Sequence, residues 1–105
     1  MNLFRIAARV AGRVANNDSA MLDMLAKLEA RERNHGRDPG QMSVEERFFN
    51  PKNYPANMRS SLPKDATVEI LAKTESGTTL TSGIGKTRED AVADLMKQMK
   101  KLLWR

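Results

Sequence analysis

Ala66-Thr67-Val68-Glu69-Ile70-Leu71-Ala72-Lys73, then Thr74-Glu75-Ser76-Gly77, then Thr78-Thr79-Leu80-Thr81-Ser82-Gly83-Ile84-Gly85-Lys86-Thr87, is the stretch that sets the architecture. Its first eight residues alternate: Ala66, Val68, Ile70 and Ala72 fall on one side, Thr67, Glu69 and Lys73 on the other, which is the period of a half-buried strand. Thr74 to Gly77 supply turn chemistry. Thr78 to Ile84 read as the returning strand, with Leu80 and Ile84 inward. Thr87 stands three residues ahead of Asp90, the spacing of a helix cap, and Val92, Leu95, Met96, Met99, Leu102 and Leu103 form the apolar side of a closing helix. A β-hairpin feeding an amphipathic helix is therefore expected over 66–105.

Two strands alone are marginal in water. The hairpin must pack on helices, recruit a third strand from the segment before it, or pair with another chain. Further upstream, Leu3, Ala7, Val10 and Val14 share a helical stripe beside Ile6, while Arg5, Arg9 and Arg13 recur on another. Asn16, Asn17 and Asp18 read as a break that caps a second helix with Met21, Leu22, Leu25 and Leu28 inward. The pairs Asp23 to Lys27 and Glu29 to Arg33 have the favourable order for i to i+4 attraction, and Asn34-His35-Gly36 is a stop. Residues 1–34 are thus expected as a helical hairpin.

Between 35 and 65 the periodicity fails and all four prolines occur. Ser43 and Glu46 have capping-box spacing ahead of Phe48 and Phe49, with Asn50-Pro51 as the stop, so one short helix is expected there. A long irregular segment in a small domain is expected to wrap over the core, pinned by Phe48, Phe49, Tyr54 and Met58. The resulting expectation is one α+β domain over 1–105 in the order ααββα, with two or three antiparallel strands.

Composition narrows the chemistry. The 105 residues include no Cys and one His, which removes disulfides, thiolate chemistry and any His/Cys metal cluster. No run is long and apolar enough to span a bilayer, so the expected setting is cytoplasmic, with no membrane partner and no cofactor. The N-terminal Arg stripe resembles an interfacial helix, but Ala7, Ala8, Ala11, Gly12 and Ala15 give it little area to bury in lipid. The net charge of +5 is concentrated at the ends: residues 1–17 carry Arg5, Arg9 and Arg13 without an acid, and residues 95–105 carry Lys97, Lys100, Lys101 and Arg105 without an acid. Such charge favours a polyanionic partner or an acidic protein face.

The Gly83-Ile84-Gly85-Lys86-Thr87-Arg88 joint places glycines where a strand meets a helix start, a position attractive to phosphate. Walker spacing is absent, and Glu89 and Asp90 oppose an anion, so the glycines read as a bend before a capped helix. With Ala91, the joint resembles over about ten residues the end of a double-stranded-RNA-binding domain, where a glycine-rich strand leads to a helix opening with Ser/Thr and a basic cluster. That resemblance implies three strands. It also implies bases and alanines that here fall on Glu89, Val92, Asp94 and Leu95, so it is taken as a shared hairpin-to-helix joint and adds little to the case for RNA.

His35 lacks a recognisable metal or triad partner and reads as a solvated loop residue. No pairing of Glu45 or Glu46 with Glu69 is marked in the sequence. The expectation is a non-enzymatic accessory module that docks on a larger protein or protein complex, in the style of small phage proteins that inhibit or redirect a host nucleic-acid-handling machine. The alternative is direct nucleic-acid binding through the basic terminal helices. The expected contact residues are Lys97, Lys100, Lys101, Trp104 and Arg105, joined by Arg47, Phe48, Phe49, Tyr54 and Arg59 from the irregular segment. Open hairpin edges add an expectation of homodimer formation.

Overall fold

The computed structural model describes residues 16–104. The first arm of the expected helical hairpin, with its Arg5, Arg9 and Arg13 stripe, lies outside the described residues, as does Arg105. Within them the order is α1 (Asn16–Asn34), β1 (Ser43–Phe48), two 3-10 turns (Pro51–Asn53 and Ala56–Ser61), β2 (Val68–Lys73), β3 (Thr79–Gly85) and α2 (Arg88–Leu103). The strands form one antiparallel sheet in the order β1-β2-β3. The fold is α+β, and the third strand comes from the proline-rich segment.

That strand overturns the short helix expected at Ser43–Phe49. Val44, Glu46 and Phe48 alternate with Glu45 and Arg47, and pairing with β2, from Ser43 opposite Lys73 to Phe48 opposite Val68, outweighs a four-residue capping signal. Helical turns appear only after it. Asn50 accepts from the Lys52 N–H and Pro51 fills the first position of the first 3-10 turn.

The start of α1 also departs from expectation, since Asn16, Asn17 and Asp18 are helical rather than a break. Its end is as read. Gly36 has φ +78°, its N–H donates to the Arg33 carbonyl, and Arg37 N–H donates to the Glu32 carbonyl, which together satisfy orphan carbonyls of the last turn. Arg37 then turns its guanidinium onto the Glu32 carboxylate at 2.9 and 3.0 Å. That hydrogen bond holds Glu32 below the ordinary carboxylate range.

Met21, Leu22, Met24, Leu25 and Leu28 of α1 meet Ala91, Val92, Leu95 and Met99 of α2 above Val44, Ile70 and Ala72 of the sheet, forming one buried core. Both helices therefore cover the same side. In β3 the register shifts at the hairpin end, Lys73 facing Thr79 and Ala72 facing Thr81. The extra residue, Leu80, packs on the core and resets the alternation. Ile84, expected inward, consequently lies opposite Glu69 on the far side of the sheet.

The glycines of β3 seat α2. A Cβ on Gly83 would collide with the backbone at Leu95 and Ala91, and one on Gly85 would lie 2.5 Å from the Ala91 nitrogen. They admit a helix backbone rather than bend a strand. As expected, Thr87 caps α2 by accepting from the Asp90 N–H. The next residue, Arg88, reaches Asp18 of α1 and Glu46 of β1, each at 3.0 Å, and so ties three elements together. Burial alone would lower its pKa, yet the hydrogen bonds and charges of Asp18 and Glu46 raise it.

Candidate docking face on the C-terminal helix

Ala93, Lys97, Lys100 and Trp104 are spaced four, three and four residues apart, so they form one stripe along α2, flanked by Met96 and Lys101. Ala91, Leu95, Met99 and Leu102 occupy the opposite, core-facing side. The stripe is therefore turned directly outward. Lys97, Lys100 and Lys101 are exposed and make no ion pair among the described residues. Trp104, the single tryptophan, is 86% exposed, and its backbone N–H donates to the Lys100 carbonyl. Ala93, Met96, Lys97 and Lys100 line a shallow hollow of about 340 Å³.

The acids Glu89 and Asp90 sit in the first turn and Lys100 and Lys101 in the last, as the helix dipole favours. Dipole matching is worth a few tenths of a kcal/mol per charge. It does not require an apolar hollow or an exposed indole beside the lysines.

The other group of expected contact residues has a different surrounding. Glu69 points away from the helices yet is only 1% exposed. Arg47 Nε donates to its Oε1 at 2.9 Å, and the Tyr54 hydroxyl donates to its Oε2. Phe49, 8% exposed, stacks at a tilt on Tyr54 with ring centroids 5.8 Å apart. Burial raises the Tyr54 pKa, and the hydrogen bond to Glu69 adds to the rise. Arg59 donates to the carbonyls of Pro51 and Tyr54 at 3.3 and 3.2 Å, bracing the turns. The segment after β1 is thus strapped over the outer side of the sheet, where it covers Glu69.

Among the expected aromatic contacts of that segment Phe48 stands out, at 89% exposed, while Arg47 and Arg59 are exposed but hydrogen-bonded within the fold. Phe48 lies at the end of β1, opposite Val68, beside a hollow of about 220 Å³ bounded by Glu46, Arg47, Thr67 and Val68. Met58 is also exposed.

The remaining chemical candidates are dispersed. Glu46 faces Arg88 on the helix side, Glu69 lies on the opposite side, and Glu45 is answered by Lys73 at 3.2 Å. His35 is exposed, with Nδ1 2.8 Å from the Arg31 carbonyl. No group of three or more His, Cys, Asp or Glu side chains is placed to hold a metal ion among the described residues. No described helix is long and apolar enough to cross a membrane.

The parts played by Ala93 and Glu69 were not singled out in the sequence. Ala93 completes the stripe, and its signal was helical spacing relative to Lys97 and Lys100; Met96, read in the sequence as part of the apolar side, packs partly on the core and also lines the hollow. Glu69 anchors the strap, and its signal was an acid within the apolar run Val68 to Ala72. Compared with protein-family models, curated proteins and solved structures, the chain finds no match.

Proposed function

We propose that the protein is a non-enzymatic docking module whose outer α2 face engages an acidic surface of a larger protein. The observation that carries this reading is the stripe itself: three lysines without an ion pair among the described residues, a shallow hollow and an exposed tryptophan on the side of α2 opposite the core. An interface of this kind uses the indole as an anchor in the partner, and the lysines for steering and register. The absence of cysteine suits a reducing, cytoplasmic setting. Inhibition or redirection of a nucleic-acid-handling complex is the form of action that a small basic module of this sort suits.

Direct nucleic-acid binding is the second reading, and it draws on the same lysines with Trp104 as a stacking platform. At the start of α2 it loses support. Arg88, the base of the RNA-binding-domain resemblance, is committed to Asp18 and Glu46, and its neighbours Glu89 and Asp90 are exposed acids. The third strand implied by that resemblance is present; the cationic cluster is not.

Titration of a labelled duplex and a labelled single strand separates the two readings. Three lysine contacts account for a slope of log affinity against log salt of only about −2.7 on duplex. Docking on protein predicts no retained duplex or single-strand binding at physiological salt, while polyglutamate shifts Trp104 emission in a manner lost in the Lys97→Glu/Lys100→Glu/Lys101→Glu variant. Tight nucleic-acid binding that persists at physiological salt would overturn it.

A further inference from the structure

The hollow on the outer side of α2 has a definite shape. Its lining residues, Ala93, Met96, Lys97 and Lys100, stand at positions i, i+3, i+4 and i+7 of the helix. Four residues in that relation form the hole into which a facing helix inserts one side chain, the unit of knobs-into-holes packing. The hole is open here because Ala93 stops at Cβ, while Met96 and the methylene stems of Lys97 and Lys100 form its walls. Lys97, Lys100, Lys101 and Trp104 repeat the same relation one turn on. The two holes differ in kind: the first is floored by alanine and methionine, the second ringed by three ammonium groups and an indole.

We infer that the occupant of this face is an amphipathic acidic α-helix of the partner protein, seated with one apolar side chain in the first hole and carboxylates over the second. The inference rests on the docking reading above and adds to it the form of the partner. Charge supplies the acidic part, since Lys97, Lys100 and Lys101 are exposed and make no ion pair among the described residues. Spacing supplies the helix. Ala93, Lys97, Lys100 and Trp104 alternate by four and three along the 16 residues of α2, which is the seam a second helix follows. One turn of the partner, advancing about 6 Å over four residues, then matches the step from one hole to the next.

The far end of α2 limits where the acids can lie. Glu89 and Asp90 are exposed there and repel carboxylates, so the partner's acids are confined to the side of its apolar residue that faces Trp104. Two other occupants complement the face poorly. Residues 1–17 of this chain carry Arg5, Arg9 and Arg13 and no acid, and the α2 of a second copy would bring its own lysines against these. A contact of two turns of helix is short, so the complex is expected to be reversible and weak.

Trp104 is the single tryptophan, so peptides free of Trp and Tyr can be titrated against the full chain by its emission. The reference peptide is an alanine-based chain of about 20 residues, long enough to be helical alone, with glutamates in its first turns and one leucine after them. It is expected to bind at least about tenfold tighter than the same peptide with alanine in place of leucine. The same margin is expected over the peptide with a proline at its centre, which breaks the helix. On the protein, Ala93→Gln fills the first hole with a good helix former at an exposed position. It is expected to weaken the reference peptide at least about fivefold with an unchanged far-ultraviolet circular dichroism spectrum. Equal affinity for the three peptides, or equal affinity of the wild type and Ala93→Gln for the reference peptide, would overturn the helix, while a response to polyglutamate would leave the docking face standing. Silence toward the peptides and polyglutamate alike would remove both. Emission that changes with protein concentration in the absence of peptide would assign the face to a second copy and overturn the inference.

Discussion

The outer side of the sheet and the outer side of α2 carry nearly the same ingredients and put them to opposite uses. Each has aromatics interleaved with bases: Arg47, Phe49, Tyr54 and Arg59 on one, Lys97, Lys100, Lys101 and Trp104 on the other. On the sheet a buried carboxylate, Glu69, gathers Arg47 and Tyr54, and the segment closes over it. On α2 no described acid pairs with the lysines, and the indole stays in solvent. What separates a strap from an open face is thus the presence of an acceptor within the fold, and composition alone is blind to it.

Truncating the aromatics should expose this difference most sharply. Phe49→Ala is expected to cost about 3 kcal/mol of unfolding free energy, because it empties a buried site against Tyr54. Trp104→Ala is expected to stay within about 0.5 kcal/mol, as an exposed substitution does. Denaturant titration of both variants checks the contrast, and comparable losses would erase it.

The carboxylate comes next. Glu69→Gln removes the charge that holds Arg47 and weakens the Tyr54 bond, with an expected loss of about 2 kcal/mol, since the groups left behind are partly hidden from water. Reversing three lysines to glutamate on α2 is expected to change stability far less, each position acting as a surface site.

A smaller but more specific effect lies in the alkaline range. Tyr54 is the single tyrosine, so absorbance titration reads it alone. Burial first, and the Glu69 hydrogen bond second, raise its pKa in the folded state. Stability from this group is therefore fully present below the ordinary tyrosine value of about 10 and is lost as pH rises through the folded-state value. Glu69→Gln should move the titration back toward the ordinary value. A wild-type phenol that titrates normally would contradict the strap.

Much of the fold was legible before the structure. The alternation of Val68, Ile70 and Ala72, the Thr87 cap and the Gly36 stop are local signals that tertiary contacts reinforce. β1 was not legible as a strand, because Ser43 and Glu46 mimic a helix start and the partner that overrides them lies some 25 residues on, a pairing no local pattern records. Ile84 was misplaced for a related reason, as one extra residue at Leu80 inverts the faces that follow. The glycines of β3 were read as a bend; what they accommodate is the backbone of α2, visible only when the helix is laid upon them. For the candidate site, the lysine stripe could be read from helical spacing. The fate of Arg47, Phe49 and Tyr54 depended on where Glu69 would be.

Capture of partner protein from a nuclease-treated host lysate, quantified for the wild type against the Lys97→Glu/Lys100→Glu/Lys101→Glu variant, tests the docking face most directly. The account predicts at least about a tenfold loss of recovered partner, with the melting temperature of the variant unchanged within a few degrees. Equal recovery by the two chains would contradict it.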